Sequence, residues 1–343
     1  MKALVLEDYM KLVYKDVPDP VPAPDEVLIR VKAAGICGSD VHGMDGSTGR
    51  RIPPLIMGHE AAGVILQKGN KVSGWSAGDR VTFDSTIYNP DDWYSRKGMY
   101  NLSDGRKILG VSTPEFRRDG AYAEMVAVPA HILFRIPENV GFTQAAMVEP
   151  AAVAMHAISL TPLEKDSCVL VIGAGTLGLC LVQLLKIAGY TRIFVAEIDP
   201  VRCEIVRELD VDYVFQPAEG ELGKKIFEMT GGRGVDAVIE AVGLPDAVKF
   251  GLDHLRRGGT MTVLGNLTQS MEIPLQKIVT GQIRLQGSYA IAGEYPEILE
   301  LLRLGKLKTD ILLSAEVPLS EGSTWFHSLY RKEGGLIKVI LKP

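Results

Sequence analysis

Val169-Leu170-Val171-Ile172-Gly173-Ala174-Gly175-Thr176-Leu177-Gly178 is the stretch that decides the fold. Its four leading apolar residues make a short buried strand. Gly173 then permits a tight turn, Gly175 lets the backbone approach a pyrophosphate, and Gly178 lets a helix pack closely on the strand. Thr176 and Leu177 open that helix, whose N-terminus offers N–H groups and a positive dipole end to phosphates. A glycine triplet alone is a common turn. This one follows a strand, opens a helix and leads to a second strand closed by an acid, Glu197, 24 residues after Gly173. A carboxylate there can accept from both ribose hydroxyls. It also repels a 2′-phosphate, which favours NAD over NADP. Arg202 lies nearby in sequence; it reads either as a cofactor contact or as a solvated charge on the second helix.

Working outward, the same alternation continues. Val169–Ile172, Ile193–Ala196, Ala237–Ile239 and Met261–Leu264 read as buried strands, with helices at Leu177–Ile187, Val201–Leu209, Leu222–Met229 and Asp246–Leu255. Such alternation predicts a doubly wound α/β domain with a parallel sheet covered on both faces. Ser167 to Leu185 carries no charge and has the length of a spanning helix, but the glycines divide it into strand, turn and helix.

Upstream, the character is β. Val27, Ile29 and Val31 alternate along one face. Pro18 to Pro24 is too proline-rich for a helix, and Gly58, Gly63, Gly69 and Gly74 punctuate short apolar runs. Beyond about Ser288 the alternation loosens, and the strand Leu336–Leu341 is placed to return to the first domain. The expected division is therefore a β-rich domain over 1–153 completed by 289–343, with a dinucleotide-binding domain over 154–288.

The whole chain has 343 residues, 46% apolar and 23% charged, with a formal net charge of −5. That suits two globular domains and gives no electrostatic support to nucleic-acid or anionic-membrane binding. Met1 to Tyr9 already carries Lys2, Glu7 and Asp8, unlike a signal peptide. The four cysteines, Cys37, Cys168, Cys180 and Cys203, form no visible disulfide framework, so a reducing cytoplasm is expected.

A second constellation sits in the β-rich part: Cys37-Gly38-Ser39-Asp40-Val41-His42, Gly58-His59-Glu60 and Val148-Glu149-Pro150. Cys, His and carboxylate are ligands zinc accepts, and a catalytic zinc takes three from protein with one position open. Spacing alone would leave Cys37 a small core residue and His59 part of a turn.

These motifs and their order, with the glycine turn and the closing Gly334-Gly335-Leu336-Ile337-Lys338, resemble the medium-chain zinc-dependent dehydrogenases, and within them the sorbitol (polyol) branch. The resemblance spans essentially the whole chain. It implies a GroES-like β domain built from both chain ends and an inserted Rossmann domain. It also implies Cys37 and His59 as zinc ligands, Glu149 where the polyol branch has glutamate, and Glu60 as an exchangeable carboxylate and possible proton acceptor. Zinc acidifies a hydroxyl held against it, so that hydride can leave for the nicotinamide. Ser39 is placed to relay the released proton and His42 to receive it near neutral pH, although His42 also reads as a surface or capping histidine. Asp40 reads as a supporting residue.

Many members of this family carry a second, structural zinc on four cysteines. The matching positions here are Asn89, Asp92, Ser95 and Ser103. The spacing is kept and every thiol is gone, so one zinc per subunit is expected, with the lobe packed around Trp93, Tyr94 and Tyr100. The implied activity is NAD-dependent oxidation of a polyol, sugar alcohol or cyclitol to a ketone. Threonine dehydrogenation is an alternative within the family, as are a zinc-free quinone or enone reductase and a dinucleotide-sensing module outside its chemistry. Tyr94, Arg117, Arg118 and Glu124 lie in stretches that could approach substrate. A homodimer or homotetramer is expected.

Overall fold

The structure is a computed structural model that describes residues 1–215 and 222–343. It divides into one unit of Met1–Ala152 with Ile291–Pro343, and another of Val153–Ala290.

In the first unit the strand Glu26–Gly35 is the organising element. Val27, Ile29 and Val31 are buried while Arg30 and Lys32 face solvent, as the alternation requires. Towards its end both faces are covered, and the sequence there is Ala33-Ala34-Gly35. It pairs antiparallel with Glu60–Lys68 on one side. Its other side is shared by Met125–Pro129 and by Lys338–Lys342, where Ile340 lies opposite Gly35. The C-terminal strand thus does return to the N-terminal sheet, delivering Lys338 beside the start of Glu60–Lys68. Leu4, Ile29, Phe83, Tyr122, Phe326 and Leu341 are fully enclosed in this unit's core.

The second unit carries a six-stranded, wholly parallel sheet, with Tyr213–Phe215 at one edge and Arg284–Gly287 at the other. Counted along the unit, the strands lie in the order 3-2-1-4-5-6, that of dinucleotide-binding sheets. The order reverses between Val169–Ile172 and Val235–Glu240, where such sheets bind ligands at the carboxyl ends. The two edge strands were not foreseen: three and four residues long, they are barely apolar enough to register. Val235–Glu240 extends beyond its predicted core at both ends, while Leu255–Val263 begins well before its predicted core and stops one residue short of Leu264, because glycines and polar residues flank the apolar run.

The uncharged run resolves as Val169–Ile172 followed by the helix Thr176–Ile187, which is buried from Gly178 to Leu185. Among the described residues, no helix is long and apolar enough to cross a membrane.

Candidate functional site

The helix Gly38–Gly43 follows directly on the strand Glu26–Gly35 and carries Ser39, Asp40 and His42. Cys37 is its N-cap. The antiparallel neighbour begins at Glu60, so His59 arrives at the same end of the sheet. One donor atom each from Cys37, His59 and Glu60 lies within 4.8 Å of the other two. Gly35 makes this possible, because a Cβ there would stand 2.3 Å from Glu60 Oε2.

The donors fit zinc. A tetrahedral ion with ligand bonds of about 2.0–2.3 Å holds its ligands roughly 3.5 Å apart, within a small closure of the observed cluster. His59 Nδ1 is buried and accepts or donates no hydrogen bond, with Asp40 Oδ2 3.4 Å away. That is near enough for charge attraction but not aligned as a bond. An imidazole whose Nδ1 faces a carboxylate presents Nε2 to a metal, the usual arrangement of a histidine ligand.

Asp40 is itself held by three hydrogen bonds from two residues. Arg51 donates from Nε at 2.8 Å and from Nη2 at 2.6 Å to Oδ1, and the Tyr122 hydroxyl lies 2.8 Å from Oδ2. Burial raises the Asp40 carboxyl pKa, but the charges of His59 and Arg51 outweigh it and hold it below its ordinary range. Burial and the Glu60 charge push the Cys37 thiol up to about 12. A bound dication reverses that, since a thiol that ligates zinc is deprotonated.

Glu60 also has a partner that the sequence reading did not name. Lys338 Nζ donates to Glu60 Oε2 at 2.6 Å and to the Ile36 carbonyl at 3.0 Å, with both side chains buried. The available signal was a lysine opening the apolar run Val339-Ile340-Leu341. Arg51 and Tyr122 gave none, because their roles depend on contacts 11 and 82 residues away in the chain.

Glu149 is buried behind the cluster but is not one of the three clustered donors. Ser85 Oγ donates to its Oε1 at 3.4 Å. Burial raises its carboxyl pKa well above the ordinary range; the His59 charge opposes this, and Glu60 and Cys37 add to it. Ser39 Oγ donates to Cys37 Sγ at 3.2 Å and accepts from Arg51 Nη2 at 3.3 Å. No hydrogen bond joins Ser39 to His42 among the described residues. His42 is half-buried beside Tyr330, with ring centroids 6.5 Å apart, and burial lowers its pKa.

Of the stretches set out as possible substrate contacts, Arg118 donates to Glu26 at 2.6 Å and Glu124 accepts from the Lys2 amide at 2.7 Å. Both are thereby tied into the β framework. Arg117 pairs loosely with Asp119 at the surface.

The four positions left by the missing thiols are joined by hydrogen bonds. Asp92 accepts from the Ser95 amide at 2.7 Å, from the Asp104 amide at 2.9 Å and from the Ser103 hydroxyl; Ser103 Oγ in turn accepts from the Asn89 amide at 3.1 Å. The expected aromatic packing is met only in part: Trp93 meets Tyr94 edge-on, with centroids 5.1 Å apart, but is 63% exposed, and Tyr100 stacks instead on Tyr88, with centroids 4.4 Å apart. An indole on the outward face of a four-residue helix has no core to enter.

In the second unit, Gly173 has φ +93°, and a Cβ on Gly178 would stand 1.8 Å from the Gly173 carbonyl oxygen. At Gly175 the nearest atom to an added Cβ is Arg202 Nη1 at 3.7 Å. The turn is therefore open where a phosphate would approach, and Arg202 lies against it rather than out in solvent. Thr176 and Leu177 form the first helical turn, with no side chain capping it at Gly175. Glu197 accepts from the Ala174 amide at 2.5 Å and from the Ile198 and Asp199 amides at 2.7 and 2.9 Å. It braces the turn, and a carboxylate with about four acceptor sites keeps capacity for a ribose.

Comparison with known proteins agrees with both halves of this geometry. Residues 23–138 match the alcohol dehydrogenase GroES-like domain, and residues 176–303 match the zinc-binding dehydrogenase domain. The sorbitol dehydrogenase of Halalkalibacterium halodurans is 34% identical, covering 100% of this chain and 99% of its own. That of Bacillus subtilis is 31% identical, covering 100% and 97%. The chain belongs to the zinc-dependent medium-chain dehydrogenases, in their sorbitol-like branch. This dehydrogenase is also similar in structure to a zinc-binding dehydrogenase from Sinorhizobium meliloti 1021 bound to NADP, with a TM-score of 0.91, 29% identity and coverage of 100% and 99%. It is thus an enzyme of zinc and nicotinamide chemistry, and the zinc-free and purely dinucleotide-sensing alternatives fall away.

Proposed function

We propose that this dehydrogenase oxidises a secondary alcohol of a polyol, sugar alcohol or cyclitol to a ketone, with NAD as acceptor and one zinc ion per chain. The observation that carries the reading is the sulfur–nitrogen–carboxylate cluster of Cys37, His59 and Glu60, with Glu149 enclosed behind it. Full-length similarity to two sorbitol dehydrogenases supports the substrate class.

Cys37, His59 and Glu60 would hold the metal, and Glu149 is the carboxylate that can replace Glu60. When bound, zinc supplies Lewis acidity that lowers the pKa of the substrate hydroxyl. Asp40 orients His59. Lys338 holds Glu60 by one oxygen and leaves the other for the metal. Ser39 lies beside the Cys37 sulfur, where a hydroxyl can accept and donate a proton at once; His42 takes the proton onward through water, since no direct bond joins the two. Gly173, Gly175, Thr176, Leu177 and Gly178 cradle the pyrophosphate with Arg202 alongside, and Glu197 selects the unphosphorylated ribose. The hydrogen bonds among Asn89, Asp92 and Ser103 support the single-zinc count.

Assembly is proposed as a homodimer or homotetramer. Among the described residues the edge strand Arg284–Gly287 has one unpaired side, and Leu275, Val279 and Leu285 nearby in sequence are 65%, 65% and 40% exposed, an apolar edge of the kind a second copy covers. Four free thiols suit a cytoplasmic setting.

The deciding experiment is a panel of polyols, cyclitols, threonine and simple alcohols, with NAD reduction followed by absorbance. Polyols or cyclitols should give the highest kcat/KM. Threonine or a simple primary alcohol leading the panel would overturn the substrate class.

A further inference from the structure

A parallel sheet has two ends, and the glycine turn and Glu197 occupy only one. At the other, amino ends of the strands, the second unit has a cavity of about 620 Å³. Its wall follows the strand starts. Ser167 precedes Val169–Ile172, Arg192 precedes Ile193–Ala196, Arg233 precedes Val235–Glu240, and Arg284 opens the last strand. Strands of four to six residues at about 3.3 Å each place it roughly 13–20 Å from the cofactor turn, so it is not part of the dinucleotide site.

The wall chemistry is mixed in a particular way. Four guanidiniums, those of Arg192, Arg233, Arg256 and Arg284, come from separate segments of the chain. Arg256 is committed to Asp236 at 2.5 Å, and Arg192 donates to the Met229 carbonyl at 3.1 Å. Arg233 stands 3.7 Å from Asp236, too far for a close pair. The Arg284 backbone belongs to the sheet ladder, but its guanidinium makes no hydrogen bond or ion pair among the described residues, and neither do the carboxylates of Glu164 and Asp166 on the same wall. Planar guanidinium forks match phosphate oxygens in pairs. Carboxylates that face the same space accept from hydroxyls and repel a second anionic group. The volume lies within the range of small-molecule sites, about 300–1,000 Å³, larger than an inorganic ion needs.

We propose that this cavity binds a small phosphate monoester bearing free hydroxyls, a phosphorylated sugar or polyol. Arg284 and Arg233 hold the phosphate, and Glu164 and Asp166 accept from the hydroxyls. The site is independent of the metal centre, so it stands or falls separately from the substrate assignment.

Titration calorimetry of the full chain with glucose 6-phosphate, in saturating NAD, tests it. One site per chain is expected, with glucose showing no binding and inorganic phosphate binding more weakly. The double variant Arg284→Ala/Arg233→Ala should raise Kd at least about tenfold while leaving the KM for NAD unchanged. Both arginines are exposed, so the fold should persist, and Arg284→Glu alone should abolish binding. Absence of saturable binding up to roughly 10 mM, an unchanged Kd in the double variant, or displacement by NAD would each overturn the site.

Discussion

The Lys338 ammonium stands 2.6 Å from Glu60 Oε2, with side-chain exposures of only 2% and 1%. The last strand of the chain therefore supplies the counter-charge for a carboxylate of the metal cluster 278 residues earlier. Burial lowers the Lys338 pKa, but the Glu60 and Cys37 charges outweigh it and raise it above its ordinary value of 10.5. A raised lysine stabilises the fold fully below its unfolded pKa and loses that contribution only as pH climbs through the folded value. The pair therefore stays intact across the neutral range. Lys338→Met strands a buried carboxylate and should cost about 3–5 kcal/mol in urea unfolding. Lys338→Met/Glu60→Gln should recover most of that. A single variant within about 1 kcal/mol of the parent would mean that the pair is not structural.

A second prediction concerns the lobe without thiols. Hydrogen bonds, the Ser103 hydroxyl foremost, lower the Asp92 carboxyl from 3.8 to about 2. A depressed acid stabilises above its unfolded pKa and ceases to as pH falls through the folded one. Trp93 is adjacent, so its fluorescence should report local loosening between about pH 4 and pH 2, and Asp92→Ala should show the loosened signal already at neutral pH. Identical spectra for parent and variant at neutral pH would show that Asp92 does not hold the lobe.

Much of this was readable in sequence and some was not, for physical reasons. The strand–turn–helix around Gly173 depends on neighbours within a few residues, so its period and glycines displayed it directly. Cys37, His59 and Glu60 were legible as zinc-type residues, but their convergence depends on pairing Glu26–Gly35 with Glu60–Lys68, which no local pattern encodes. The same holds for Arg51, Tyr122 and Lys338. Trp93 was misplaced because an aromatic in a short segment does not show which way it faces.

Glu197 should govern cofactor choice. Glu197→Gln keeps the size but weakens the brace on the Ala174 amide and removes the charge facing a 2′-phosphate. The KM for NAD should rise and the NAD-over-NADP ratio of kcat/KM should narrow. A parent enzyme equally efficient with both cofactors would refute the assignment.

Ser39 should matter to turnover more than to binding. Ser39→Ala should lower kcat while zinc content and the KM for NAD hold. His42→Ala should have a milder effect that buffer amines partly reverse, because water can replace an outer acceptor. Normal kcat for Ser39→Ala from about pH 6 to about pH 9 would remove Ser39 from the proton path and leave it a packing residue beside Cys37.

The metal centre is tested most directly by counting zinc in purified protein by elemental analysis. One ion per chain is expected in the parent, and close to none in Cys37→Ser or His59→Ala chains that remain folded by circular dichroism. Two tightly held ions per parent chain, or a full complement retained by either variant, would contradict a single zinc site built on Cys37, His59 and Glu60.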